Sequence, residues 1–244
     1  AIFTNNSIPL PLGIPPEYQG MFQQALSDLS KQVLASTFGT ADYFSFMSVG
    51  VLSFVVLFTT MFGGMSIVWD RRLGFLDKVL STPVARGSIL MSKVFSAVIR
   101  SLMQATIVLG FAFLLGLKPS PSFTPINLLG VFAALFLISL GLSSIFILIA
   151  IRSTRWETHM AVMNLLNLPL LFASNALFPS SLMPDWLQAV AKVNPVTYAT
   201  DATRQLILYP TDMTQLIFDF TYLGAFATIF TAIGILLSWR YLSR

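Results

Sequence analysis

Residues 126–151 read INLLGVFAALFLISLGLSSIFILIAI, without one charged side chain. About 20 apolar residues in a helix cross the roughly 30 Å hydrocarbon core of a bilayer, so this stretch alone is long enough to span one. Working outward from it, 44–68, 94–117, 160–178 and 220–239 also qualify. Composition agrees: 55% of residues are hydrophobic, 10% are charged and the mean hydropathy is +0.78, whereas soluble domains carry about 25% charged residues. The chain reads as an all-α integral membrane protein with five visible transmembrane helices.

The formal net charge is +4, but the basic residues flank apolar runs instead of forming a stripe interleaved with aromatics. That pattern points to membrane topology and away from nucleic acid. Arg71, Arg72, Lys78, Arg86, Lys93, Arg100, Arg152, Arg155, Arg240 and Arg244 fall on one side of the spans; Lys31, Lys118, Lys192 and Arg204 fall on the other. The richer side is expected to be cytoplasmic, which makes this a multi-pass plasma-membrane protein with its C-terminus inside. Arg100 lies about two turns inside its span, from where a long side chain snorkels to the surface. Five spans put residues 1–43 outside. Because the sequence begins with Ala and has no signal-peptide core at its start, either a signal or an additional first helix is expected upstream; the helix is the favoured expectation and would give six spans with both ends cytoplasmic. With no cysteine and a single His159, thiolate and imidazole metal sites are not expected.

Outside the membrane, Pro9 to Pro16 reads as an extended lead, and Asn5-Asn6-Ser7 fits a glycosylation sequon. From Glu17 to Phe38, Phe22, Leu26, Leu29 and Val33 recur every three or four residues and predict an amphipathic helix. Residues 178–219 are broken by Pro179, Pro184, Pro195 and Pro210. Pro184-Asp185 suits a helix start and Asn194-Pro195 a stop and restart, so two short helices are expected, the second from about Val196 to Leu208. Apolar helices of this kind are either interfacial or re-entrant.

The charged insert 69–93, WDRRLGFLDKVLSTPVARGSILMSK, separates the first two visible spans. Helix can continue from Asp70 to Leu80 with Gly74 as a flexible point, and Thr82 before Pro83 ends it. The result is a short helix across the membrane plane. Arg71, Arg72, Asp77 and Lys78 are placed to dock a soluble partner, while Phe75, Leu76, Val79 and Leu80 pack on the bundle or fill a partner's groove.

The pattern Asp70-Arg71-Arg72-x-Gly74-x-x-Asp77-Lys78, followed by Thr82-Pro83-Val84-x-Arg86 and Lys93, resembles the first cytoplasmic loop of ABC-2 type exporter permeases, in particular the daunorubicin-resistance-like branch. Phe178-Pro179, Pro184-x-Trp186-Leu187, Asn194-Pro195-Val196-Thr197-Tyr198 and Arg204 are similar to that family's outer segment before its last helix. The resemblance covers the chain from Phe44 onward. It implies a six-helix permease half that dimerises and seats its first cytoplasmic loop, as a coupling helix, on a separate ATP-binding-cassette subunit. Asp70, Arg71, Arg72, Gly74, Phe75, Asp77, Lys78, Pro83 and Arg86 would couple to that ATPase; Pro179, Trp186, Asn194, Pro195, Tyr198 and Arg204 would belong to an outer gate. The commoner family pattern has Glu where Arg72 stands and Thr where Phe75 stands.

No Lys follows a Gly, so the phosphate-cradling Gly-x-x-x-x-Gly-Lys-Ser/Thr loop is absent. The chain is therefore expected to be a non-enzymatic transport subunit binding no cofactor, with ATP and Mg on the partner. Asn164, Asn167, Ser174 and Asn175 lie near one face of the fourth visible span, with Pro169 between them; they suit either interhelical hydrogen bonding or a substrate path, to which Gln104 is a further candidate. Gly224, Ala227, Thr231 and Gly234 suit close helix approach within one copy or between two. No carboxylate is expected at mid-depth, which disfavours an ion-coupled secondary transporter. The other alternative is a membrane scaffold that anchors a cytosolic protein.

Overall fold

The computed structural model describes residues 16–40, 42–153 and 155–242; the sequon and the lead before Pro16 lie outside them. The chain divides into two units, residues 1–43 and 44–244. In the first, α1 (Pro16–Phe38) carries an Asp28–Lys31 pair at 3.7 Å one turn apart. Leu29 and Val33 of its expected apolar face are exposed.

The second unit is built from α2 (Tyr43–Arg72), α3 (Phe75–Leu80), α4 (Arg86–Leu114), α5 (Pro125–Arg152), α6 (Trp156–Phe172), α7 (Asp185–Ala191), α8 (Pro195–Ile207) and α9 (Met213–Leu242), with a 3-10 turn at Ser180–Leu182. Helix is the form that lets an apolar span satisfy its own backbone in lipid. The opening stretch becomes α5, which Pro125 starts with its preset φ and an N–H that needs no partner. It is the central helix, packing against α4, α8 and α9.

Small residues set these contacts. Ser144 Oγ lies 3.1 Å from Thr231 Oγ1, Gly234 faces Ser144 and Leu90, and Gly141 faces Phe226 and Ala227. Three of the four small positions expected on the last span thus pack within this copy, while Gly224 faces open space. The main core runs through Val56, Leu57, Leu135, Ile138, Leu142 and Ile207, and a second cluster at one end joins Ile67, Leu76, Leu90, Val94, Ile147 and Ile151.

Two expectations change. Among the described residues four helices, those containing α2, α4, α5 and α9, are long and apolar enough to cross a membrane; the fifth expected span does not reach 178. α6 has 17 residues, about 26 Å at 1.5 Å per residue. Pro169 gives no N–H to the turn before it, Ala173 N–H closes the last bond to Pro169 O at 2.8 Å, and the chain leaves the helix. Ser174 and Asn175 therefore lie beyond the helix, not on a shared face with Asn164 and Asn167. The last helix begins at Met213, seven residues before the expected start, so Asp219 falls inside α9 and is fully buried.

Candidate functional site

The two ends of the second unit carry most of the singled-out residues. At the end holding Arg71, Arg86 and Arg152, α2 stops where Gly74 adopts φ 68°, a left-handed conformation that glycine takes without steric cost. α3 follows at once and lasts six residues, closed by Ser81 N–H to Asp77 O at 3.1 Å and Thr82 Oγ1 to Val79 O at 2.6 Å. Only Leu76 of α3 is buried.

This handle is held by charge. Asp70 forms an ion pair with Lys93 of α4, both largely covered. Arg71 reaches across to α5, where Nη2 donates to Ile151 O at 2.6 Å and Nη1 to Ser153 O at 3.3 Å. Those carbonyls are among the unpaired acceptors at a helix C-terminus, where a cation also meets the negative end of the dipole. Asp70 and Arg71 thus brace the helix ends. Arg72, Leu73, Phe75, Asp77, Lys78, Pro83 and Val84 are exposed, and Arg86 is half-buried at the start of α4. Beside them an apolar notch of about 240 Å³ opens between α3 and α4, lined by Phe75, Leu76, Val79, Val84 and Ile89.

The candidate path residues do not form one surface. Asn164 is exposed; Asn167 is buried and donates Nδ2 to Met61 Sδ at 2.7 Å, joining α6 to α2. Ser174 bonds back to Leu171 O at 2.6 Å. Gln104, on α4, accepts from Thr59 Oγ1 of α2 at 2.7 Å.

At the other end, α6 stops at Phe172 and leaves carbonyls without helical partners; Asn194 takes two at the helix end and Arg204 of α8 takes two in the turn beyond it. Asn194 Nδ2 donates to Leu170 O at 2.7 Å and Ala173 O at 2.8 Å, while its Oδ1 caps α8 by accepting Val196 N–H at 3.0 Å. Arg204 Nη1 donates to Asn175 O at 2.7 Å and Nη2 to Ala176 O at 2.9 Å, with its guanidinium 3.7 Å from the Phe46 ring centroid. Gly50 lets this turn approach α2, since a Cβ there would lie 1.9 Å from Ala176 O. Pro195, at the first position of α8, is buried.

Arg204 is 2% exposed. Burial pulls its pKa down to about 10, opposed by Tyr209 and Asp201, so it stays cationic at neutral pH. Burial pushes Asp201 up, opposed by Arg204 and by the amide of Asn175, which donates to its carboxylate. Tyr198 stacks on Tyr222 of α9 at 3.9 Å and donates its hydroxyl to Lys192 O. Pro179 starts the 3-10 turn, and Trp186 on α7 is exposed, away from this polar cluster.

The partners went unread in the sequence. Asn175 pairs with Asp201, and Asp219 accepts from Gln215 Nε2 at 3.0 Å and Gln205 Nε2 at 3.3 Å. The available signal was composition: α8 holds Thr197, Thr200, Asp201, Thr203, Arg204 and Gln205 in 13 residues. So polar a helix enters the protein only with partners. The expectation of apolar outer helices therefore does not hold for α8.

Comparison with known proteins bears on both ends together. The chain is 35% identical over 166 residues to the "putative transport permease ycf38" of Cyanophora paradoxa, covering 68% of this chain and 56% of that protein. It is 26% identical over 168 residues to "daunorubicin resistance ABC transporter permease protein DrrB1" of Streptomyces coeruleorubidus, covering 69% and 59%. To the "probable multidrug ABC transporter permease YbhR" of Escherichia coli (strain K12) it is 27% identical over 169 residues, covering 68% and 45%. The matched part is thus about half the length of these relatives. The sequence profile described as "ABC-2 type transporter" matches residues 18–208, from α1 to the end of α8. The chain belongs to the ABC-2 type transporter family.

Proposed function

We propose that this chain is the membrane-spanning permease subunit of an ATP-binding-cassette exporter, moving a hydrophobic or amphipathic substrate outward by alternating access. The energy comes from ATP and Mg held by a separate ATPase subunit, and a second permease copy completes the pathway. The observation that carries this reading is the handle. Its exposed face, with Phe75 and Leu73 among Arg72, Asp77 and Lys78, stands on a brace made by Asp70–Lys93 and Arg71, so force applied there reaches α2, α4 and α5 together. Relatives named as multidrug and daunorubicin-resistance permeases support the exporter direction. The distribution of basic residues supports a handle, and a C-terminus, on the cytoplasmic side. Pro179, Trp186 and Tyr198 belong to the outer closure, whose base Asn194, Pro195 and Arg204 hold; Asn164, Asn167, Ser174 and Asn175 remain the candidate path residues, while Gln104, exposed on α4 and bonded to Thr59, is set apart from them.

The test is co-reconstitution with a candidate ATP-binding-cassette subunit from the same organism. Phe75→Asp and Lys78→Glu should abolish copurification and ATP-dependent export while leaving the purified permease folded. Binding and transport unaffected by both changes would sink the proposal. Unchanged transport by Asn164→Ala and Asn167→Ala would remove those residues from the path.

A further inference from the structure

Arg100 has no role at either end of the bundle. It sits on α4 among Phe95, Ile99, Met103 and Ile107, all exposed, on a face that a membrane helix turns to lipid. Its Nε donates to Ser96 O of its own helix at 3.3 Å, and no acidic side chain among the described residues pairs with it. Lys93, seven residues earlier and hence on nearly the same face, is engaged by Asp70. Counting about 20 residues back from Leu114 for the hydrocarbon core leaves Arg100 about 9 Å inside its margin along the helix axis.

A guanidinium at that depth among aliphatic side chains is costly, and such a residue marks an anion partner or a functional pathway. Its neighbours add donors. Ser96 and Gln104 are exposed at spacings of four on either side, which sets the three on one stripe. The Gln104 carbonyl oxygen is occupied by Thr59, so its amide nitrogen is the group left to donate outward. The stripe therefore offers hydroxyl, guanidinium and amide donors, with no acidic side chain, beside a ladder of apolar side chains.

We propose that Ser96, Arg100 and Gln104 form a binding site for an anionic phospholipid of the leaflet at the handle end. The phosphate takes the Arg100 fork, which matches its oxygens in a way that an ammonium does not. The acyl chains lie along Ile99, Met103 and Ile107. A zwitterionic lipid brings its own cation to the same phosphate and is bound less well.

The experiment uses the full chain in nanodiscs of phosphatidylcholine and phosphatidylglycerol, with retained lipids quantified by mass spectrometry after washing. Wild type should retain phosphatidylglycerol in excess by about fivefold, the scale that one basic residue near an anionic surface supports. Arg100→Gln should remove the excess, Arg100→Lys should restore part of it, and Lys118→Gln should leave it unchanged. Equal retention by wild type and Arg100→Gln overturns the proposal. So does displacement of the lipid by soluble glycerol phosphate, which would make the site one for free phosphate, or capture of protein instead of lipid by a photo-crosslinker at position 100. Arg100 is exposed, so a folding defect in these variants is not expected, and a melting curve checks this. None of the readouts depends on ATP or transport, so the exporter reading stands or falls separately.

Discussion

Both ends of the helix bundle fasten helix termini with arginines, but they use them differently. At the handle, Arg71 takes two carbonyls at the end of α5 and lies half-covered, and the residues just past it, Arg72 to Lys78, keep an exposed face. At the opposite end, Arg204 takes two carbonyls past α6 and is buried with Asp201, Asn175 and Phe46 around it. One arginine braces a surface, whereas the other fills a core. The depth of the cation, more than its hydrogen-bond count, sets what its loss costs.

The comparison breaks first at Arg204. Arg204→Ala leaves Asp201 buried without its neighbouring cation and two carbonyls without donors, so it should cost about 3–5 kcal/mol. Thermal unfolding in detergent reads this, and Arg204→Lys should recover only part, having no fork. A neutral Arg204→Ala would mean that the outer end is not a core. Next comes Gly50→Val, which forces the Ala176 turn away from α2; overpacking of this kind costs about 1–3 kcal/mol, read by the same melt and by increased proteolysis of residues 173–184.

Arg71→Ala should cost about 1.5–3 kcal/mol, the scale of a charge-assisted bond, discounted toward the lower value because the residue is partly solvated. It sharpens the comparison when set beside Phe75→Ala, which should leave the melting temperature unchanged and weaken ATPase binding. If Arg71→Ala weakens ATPase binding with no loss of stability, its assignment as a brace fails. The smallest effect is Asp70→Asn, about 0.5–1 kcal/mol for a partly exposed pair. Adding salt should shrink it, because screening acts on exposed charge; a salt-independent loss would place the pair in the interior.

Much of the fold was legible because apolar runs and prolines act locally. Pro195 starts a helix, Thr82-Pro83 closes the handle, and the runs of α2, α4, α5 and α9 identify themselves, whereas Gly74, read as a flexible point within one continuous helix from Asp70 to Leu80, ends α2 and separates it from α3. The span at 160–178 was misread because its apolar composition continues past Phe172 although the helix does not. Pairings were invisible for a different reason. Nothing near Arg71 announces Ile151 O, and nothing near Arg204 announces Asn175 O, since both acceptors are backbone groups of ordinary residues far along the chain. Part of the outer cluster could be inferred from the polar composition of α8, but its geometry depends on where α6 ends.

The polarity of α8 also bears on how the protein is made. Among the described residues four helices are long and apolar enough to enter a bilayer by their own hydrophobicity, while a 13-residue segment with Asp201, Arg204, Gln205 and three threonines has no such route. Its surroundings come from α5 and from α9, which is synthesised after it. Residues 195–207 are therefore expected to settle only once the last helix is in place, as a late step in biogenesis. Because these 244 residues contain no cysteine, a single Thr203→Cys reports it: the thiol should react with a water-soluble maleimide in chains truncated before Met213 and be protected in the full chain. Protection in both would reverse the order.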